Sequence, residues 1–309
     1  MHRTIDIAVP ASYTDTLIEE LEQLEQVISL SVVREGSIKP RGDVLTVHTL
    51  NRGADEVLRL AEAAQMQGQV SISTAELGSL IDPQHERKVA NDIDEALWEE
   101  SETGLRQQSQ ITANYLALMA LGGAVAAIGF VTDSPSQQTI SLVAAAILAP
   151  GFEPLAKIPV GLGLRRWSVV GAGLTSAGAG YLGLALSAAV VLVVLRLLGL
   201  VTVGEYIDNP QVQALAHPGL REILVSACGA VAGTVMLLSY RRYLIPGALI
   251  ALAVIEAAAM VGAAVGAGNV GLALEGLGRL AIDVLLIVVG GVIVVLLKQG
   301  IVHRRAPMV

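Results

Sequence analysis

Apolar and polar positions alternate with a period of two over Thr4–Val9, as in a strand with one buried face, and Pro10 ends the run. The period then lengthens. Leu17, Ile18, Leu21, Leu24 and Ile28 share one helical face, with Glu19, Glu20, Glu22 and Glu25 on the solvated side. Residues 28–34 and 43–50 read as strands joined by the turn-rich Glu35–Gly42, residues 55–67 as a second helix with Val57, Leu58, Ala61 and Ala64 inward, and residues 69–74 as a fourth strand. The order βαββαβ over residues 1–80 predicts an α+β, ferredoxin-like soluble domain. Residues 81–111 read as an acidic amphipathic connector helix with Val89, Ile93, Ala96, Leu97 and Trp98 on its apolar stripe.

From Thr112 onward the polar faces disappear. Apolar runs at 112–132, 138–164, 168–198, 222–240, 244–266 and 270–297 are each long enough, at about 1.5 Å per residue, to cross a hydrocarbon core of about 30 Å. Residues 112–309 therefore predict an α-helical polytopic membrane domain of six spans. Arg165-Arg166, Arg241-Arg242, and Lys298 with Arg304-Arg305 fall on one side of this arrangement, and Asp133 and the long loop 201–220, with Glu205 and Asp208, on the other. Positive-inside orientation then makes both termini cytoplasmic. A gapless shift of 103 residues lays Glu153 on Glu256, Gly163 on Gly266 and Gly173 on Gly276, and the first span on the start of the fourth. Three spans per half is an odd number, so the prediction is a 3+3 inverted repeat.

Composition sharpens this picture. The 309 residues are 53% hydrophobic and 3% aromatic with 32 glycines, a mixture suited to membrane helices that pack through small residues. Gly229–Gly233 and Gly262–Gly266 each place two glycines on one helical face. Residues 1–112 hold 9 Lys+Arg against 20 Asp+Glu, a net of −11, whereas residues 113–309 hold 11 against 8, a net of +3. The acidic first part would repel phosphates and argues against a nucleic-acid partner. The first residues lack the apolar core of a cleaved signal, so the first span is expected to serve as the insertion signal. A single cysteine, Cys228, supports neither a disulfide framework nor a cysteine metal site. No nucleophile–base pair, histidine cluster or phosphate loop is visible, which points away from an enzyme and from an organic cofactor. His48 and His217 read as ordinary strand and loop histidines.

The candidate chemistry centres on Ala149–Lys157, a charged and twice proline-broken stretch inside an apolar segment. A carboxylate at such depth costs about 2.5–3.5 kcal/mol on insertion. Pro150 and Pro154 each remove a backbone donor and would leave free carbonyls near Glu153. Glu153, Glu256 and Asp283 lie near the centres of the second, fifth and sixth spans. Lys157 stands one turn after Glu153 and is placed to pair with it, as Arg279 is with Glu275; this leaves Glu256 and Asp283 without a local cation. Such acids either take up a proton, Na⁺ or a divalent cation, or satisfy Lys157, Arg196 and backbone groups between helices. Asp133, in Thr-Asp-Ser-Pro, reads as a cap at the mouth of the first hairpin.

Ala126–Pro135, followed by Ala145–Pro154, resembles the signature of the prokaryotic "uncharacterised hydrophobic domain" family, the domain of unknown function 389; Ser226–Gly233 and Ile245–Ala253 resemble its second-half pattern. The similarity runs from about Thr112 to Leu297, and the Thr-Asp-Ser-Pro to Ala-Pro stretch is its most specific part. It implies a multi-pass protein of the prokaryotic cytoplasmic membrane. At Glu153, Glu256 and Asp283 this chain carries acids where the family usually has a small residue, a proline pair and an asparagine. Each departure favours cation handling. The expected function is a homo-oligomeric secondary transporter or ion-conducting protein for a small ion or solute, embedded in the lipid bilayer. The other reading is a membrane-anchored sensor or scaffold, in which the soluble domain binds a ligand or partner and the membrane part only oligomerises.

Overall fold

The structure, a computed structural model, describes residues 2–239 and 253–301. The chain divides into two compact units, one built on Met1–Glu99 and the other on Glu100–Leu237 with Arg241–Lys298. The first unit runs β1 (His2–Val9), α1 (Thr14–Glu22), β2 (Val27–Ile38), β3 (Arg41–Thr49), α2 (Ala54–Ala63) and β4 (Ser71–Leu77). Its sheet is antiparallel throughout, in the order β2-β3-β1-β4. Ile5 stands opposite Val47 and Thr74, and Ile7 opposite Leu45 and Ile72, so the period-two pattern puts one row of side chains on one face. That row is buried with Leu17 and Leu21 of α1 and Val57, Leu58 and Ala61 of α2.

The β2–β3 hairpin extends beyond its predicted ends. A register irregularity between Val33 and Ser37 absorbs Glu35 and Gly36, and pairing resumes up to Ile38 opposite Arg41. Asp43 fixes this irregularity. Its buried carboxylate accepts the Glu35 N–H at 2.8 Å, the Thr14 hydroxyl at 2.8 Å and Arg34 Nη1 at 3.0 Å. The Glu35 N–H above all, then the Thr14 hydroxyl, hold this carboxyl below its ordinary range against the opposing effect of burial.

The connector is not one helix. Residues 86–90 (α3) and 98–108 (α4) are helical, and residues 91–97 are not. Asn51 supplies the reason: its Nδ2 donates to the carbonyls of Ile93 at 3.1 Å and Glu95 at 2.5 Å, and its backbone N–H donates to Asp92 Oδ2 at 2.7 Å. Backbone acceptors engaged by a side chain in this way give the segment an alternative to helix. Fully buried Arg3 orients Asn51 in turn, donating from Nε to Oδ1 at 2.8 Å.

The second unit contains α5 (Ala113–Gly129), α6 (Pro135–Leu148), α7 (Phe152–Gly163), α8 (Trp167–Leu197), α9 (Val203–Ile207), α10 (Pro210–Ala216), α11 (Leu220–Leu237), α12 (Val254–Ala267) and α13 (Val270–Ile301). Three of these, α8, α11 and α13 with 31, 18 and 32 residues, are each long and apolar enough to cross a membrane. The number rises to five if the bent pairs α4–α5 (71°) and α6–α7 (51°) each count as one span. Six spans are thus not reached among the described residues. The start of the expected fifth span, most of Ile245–Ala253, and the pairs Arg241-Arg242 and Arg304-Arg305 lie outside them. The segment expected as an outer loop, 201–220, folds into α9 and α10. Thr202 and Glu205 close a reciprocal cap on α9, and Tyr206 is fully buried, its hydroxyl donating to the Met260 carbonyl at 3.0 Å.

Helix α8 is contacted at backbone level from two sides. A Cβ at Gly123 of α5 would overlap the Leu184 carbonyl, and one at Gly262 of α12 would overlap the Ala185 carbonyl.

Two predictions follow from these contacts. Asp43→Asn should lower the melting temperature of the first unit by roughly 4–8 °C, the effect of about 1 kcal/mol in a domain of this size. Because the folded carboxyl titrates below its unfolded value, the difference from wild type is full at neutral pH. It shrinks as pH falls from the unfolded value through the folded one, which melts between pH 7 and pH 2 would record. Gly262→Ala should sharply reduce the thermal stability of the detergent-solubilised chain. Gly178→Ala, where nothing lies within 4 Å of the added Cβ, should leave stability unchanged or slightly raised; equal losses in both would contradict the backbone contact.

Candidate functional site

The site starts from the interruption between α6 and α7. Pro150 cannot donate to the helix, and residues 149–151 leave it; Ala149 still donates to the Ala145 carbonyl at 3.1 Å, but the following N–H donors do not continue the ladder. The Gly151 carbonyl accepts the hydroxyl of Tyr181, on α8, at 3.0 Å. A Cβ on Gly151 would come within 2.5 Å of Ile255 Cδ1 and 2.8 Å of the Tyr181 hydroxyl. The gap therefore lies against the first turn of α12. Pro154 does not break the chain as expected. It sits in the first turn of α7, where the N–H groups have no intrahelical partner to lose. The proline inside the helix is Pro159, against which Gly291 of α13 packs.

Glu153 falls in the first turn of α7 and Glu256 in the first turn of α12, positions where the helix dipole favours negative charge. Each has one carboxylate oxygen, Oε2, buried without a hydrogen-bond partner among the described residues. Asp283, on α13, is fully buried and forms an ion pair with Arg279 one turn earlier, Nε to Oδ2 at 3.2 Å. Arg279, only 4% exposed, donates from Nη2 to Ser226 Oγ on α11 at 2.7 Å, and its Nη1 has no hydrogen bond among the described residues. Tyr181 lies within electrostatic reach of Glu153, Asp283 and Glu256, and Glu256 within reach of Asp283 and Arg279. A cavity of about 250 Å³ lined by Gln211, Leu215, Glu222, Val225 and Ala253 opens onto Arg279.

Several expectations need correcting. Arg279 pairs with Asp283, not with Glu275, whose partner is His217 at 3.6 Å. Both acids are one turn from Arg279, and the buried side of α13 decides between them. Lys157 forms no ion pair with Glu153 among the described residues; it lines a separate cavity with Glu102, Arg106 and Arg166. Asp133 is exposed and does not cap α6, whose N-cap is Ser134. Glu153, Glu256 and Asp283 do not form a three-ligand group that could hold a metal ion. Tyr181 and Ser226 were not singled out in the sequence. The available signal for Tyr181 was the rarity of an aromatic hydroxyl within a glycine-rich span.

By length and composition, the helices around this site are those of a membrane protein. More particularly, residues 146–289 match the family model of the Domain of unknown function (DUF389), and the resemblance read from the sequence is shown over that stretch. The match takes in Glu153, Glu256 and Asp283, but not the Thr-Asp-Ser-Pro segment expected to be the most specific part. No curated protein and no solved structure matches the chain.

Replacing Arg279 by Met would leave Asp283 as an unpaired buried charge and is expected to cost about 3–5 kcal/mol. Arg279→Met with Asp283→Leu should recover most of that loss. Thermal unfolding in detergent checks this: a double variant no more stable than Arg279→Met would mean that the two charges are not coupled.

Proposed function

We propose that the protein is a secondary transporter or ion-conducting protein of the cytoplasmic membrane, coupled to a proton or another small cation through Glu153, Glu256 and Asp283. One observation carries the reading: two helices start at adjacent points in the bundle, each with a glutamate in its first turn and each with a buried oxygen lacking a partner among the described residues. Helix starts that meet inside the bundle are the plan of many transporter sites. The Arg279–Asp283 pair beside them is a counter-charge whose strength depends on whether the neighbouring acid is protonated or cation-bound.

The 3+3 inverted architecture is part of this proposal, and equivalent contacts support it. The added Cβ of Gly173 would meet the Pro154 carbonyl and Ile158; that of Gly276 would meet the Ala257 carbonyl and Val261, the same places shifted by 103 residues. Helices α8 and α13 also begin 103 residues apart. With three spans in each half, this correspondence would put the two glutamates on opposite half-helices. A homo-oligomer in the bilayer completes the proposal, with the N-terminal unit serving assembly or ligand sensing.

Purified protein reconstituted into vesicles with an internal pH dye provides the test. Proton or sodium flux across an imposed gradient is expected, falling at least about tenfold in Glu153→Gln and Glu256→Gln, as removal of an intramembrane acid from a relay predicts. Absence of flux, or flux indifferent to both variants, would replace the transporter with the sensor or scaffold.

A further inference from the structure

A second cluster of charge lies in the helical unit, apart from the unpaired carboxylates, where α4, α7 and the start of α8 converge. Glu102 on α4 is the sole acid among the described residues lining this cavity, and both its oxygens are engaged: Oε1 by Arg106 Nη2 at 3.0 Å and Oε2 by Arg166 Nη1. Lys157, on α7, is the third cation. It is only 5% exposed, and among the described residues it has neither a hydrogen bond nor an ion pair. Three cations thus face one carboxylate. A poorly solvated ammonium without an anion is costly, and among the described residues lining this cavity the surplus is two positive charges.

The backbone adds to the same preference. The cavity, about 190 Å³ and open on one side, is also lined by Ser168 and Val169 in the first turn of α8. That helix has 31 residues, and its N-cap, Arg166, makes no side-chain cap hydrogen bond; the Val169 N–H donates to the Arg166 carbonyl at 3.0 Å. The corner before it is held tightly: Arg165 adopts the left-handed conformation (φ 57°), and Arg166 donates its N–H to the Gly161 carbonyl at 2.7 Å. The turn so formed brings the Arg166 guanidinium and the α8 terminus to the same cavity as Lys157.

We propose that this cavity is an oxyanion site that takes a phosphate-type group, either free in solution or carried on a lipid headgroup. Arg106 and Arg166 present planar donor forks suited to phosphate oxygens, Lys157 a point charge, and Ser168 a hydroxyl at a helix terminus whose dipole favours an anion. Glu102 then serves to position the two guanidinium groups.

The test uses the full chain in neutral detergent at constant ionic strength set with sodium chloride. Thermal unfolding is followed in two arms, one titrated with inorganic phosphate and the other with phosphatidylglycerol added to the micelle. A saturable rise in melting temperature is expected in at least one arm, with the apparent affinity falling about tenfold or more in Lys157→Gln and in Arg106→Gln, the scale of a lost charge-assisted contact. Arg106 has a side chain 61% exposed, so its variant keeps the test open if Lys157→Gln does not fold. A rise with phosphate identifies a free oxyanion, and a rise with lipid alone identifies the headgroup. No rise in either arm, or a rise equal in wild type and both variants, would overturn the proposal.

Discussion

A helix interrupted inside an apolar bundle leaves backbone groups that water cannot serve, and each of them must be met by protein. The gap at residues 149–151 puts that demand on the helical unit. Tyr181 meets part of it by donating to the Gly151 carbonyl, which fixes α8 beside the gap, and the missing Cβ of Gly151 lets Ile255 and hence the start of α12 approach. The start of α12 carries its own irregularity, Ala253 in the left-handed region at φ 52° where glycine is usual. A strained residue and an interrupted helix at one place are features that folded chains retain mainly where a site needs them.

The same neighbourhood joins opposite electrostatic solutions. Asp283 has an ion pair with Arg279, whereas Glu153 and Glu256 each bury an oxygen with neither an ion pair nor a hydrogen bond among the described residues. The pairing holds α11 and α13 together through Ser226, and the unmatched oxygens leave capacity for a proton or cation. At the α4–α7–α8 cavity the imbalance has the other sign, with Lys157 the group left without an ion pair among the described residues. In neither place do the described residues alone balance the charge.

Much of the fold was legible because it depends on periodicity. The alternation at Thr4–Val9 gave β1, and the stripes through Leu17 and Leu21 and through Val57 and Ala61 gave the faces of α1 and α2. Pro150 located the interruption. Where the reading failed, the deciding interactions were distant in sequence. The connector opens between Ala90 and Trp98 because Asn51, some forty residues earlier, binds its carbonyls. Spacing alone cannot choose between Glu275 and Asp283 as the partner of Arg279, nor reveal that Lys157 turns away from Glu153 toward groups on α4 and α8. Residues 201–220 looked like a loop because the burial of Tyr206 depends on Phe130 and Met260, neither of them near it in the chain.

The carbonyls of Leu184 and Ala185, met by Gly123 and Gly262, are successive peptide groups on one turn of α8. Two helices thus bear on the same short piece of main chain, and neither can be pushed back without displacing the seat of the other. Mutational effects at these glycines should consequently be epistatic rather than additive, although more than a hundred positions separate them in the chain.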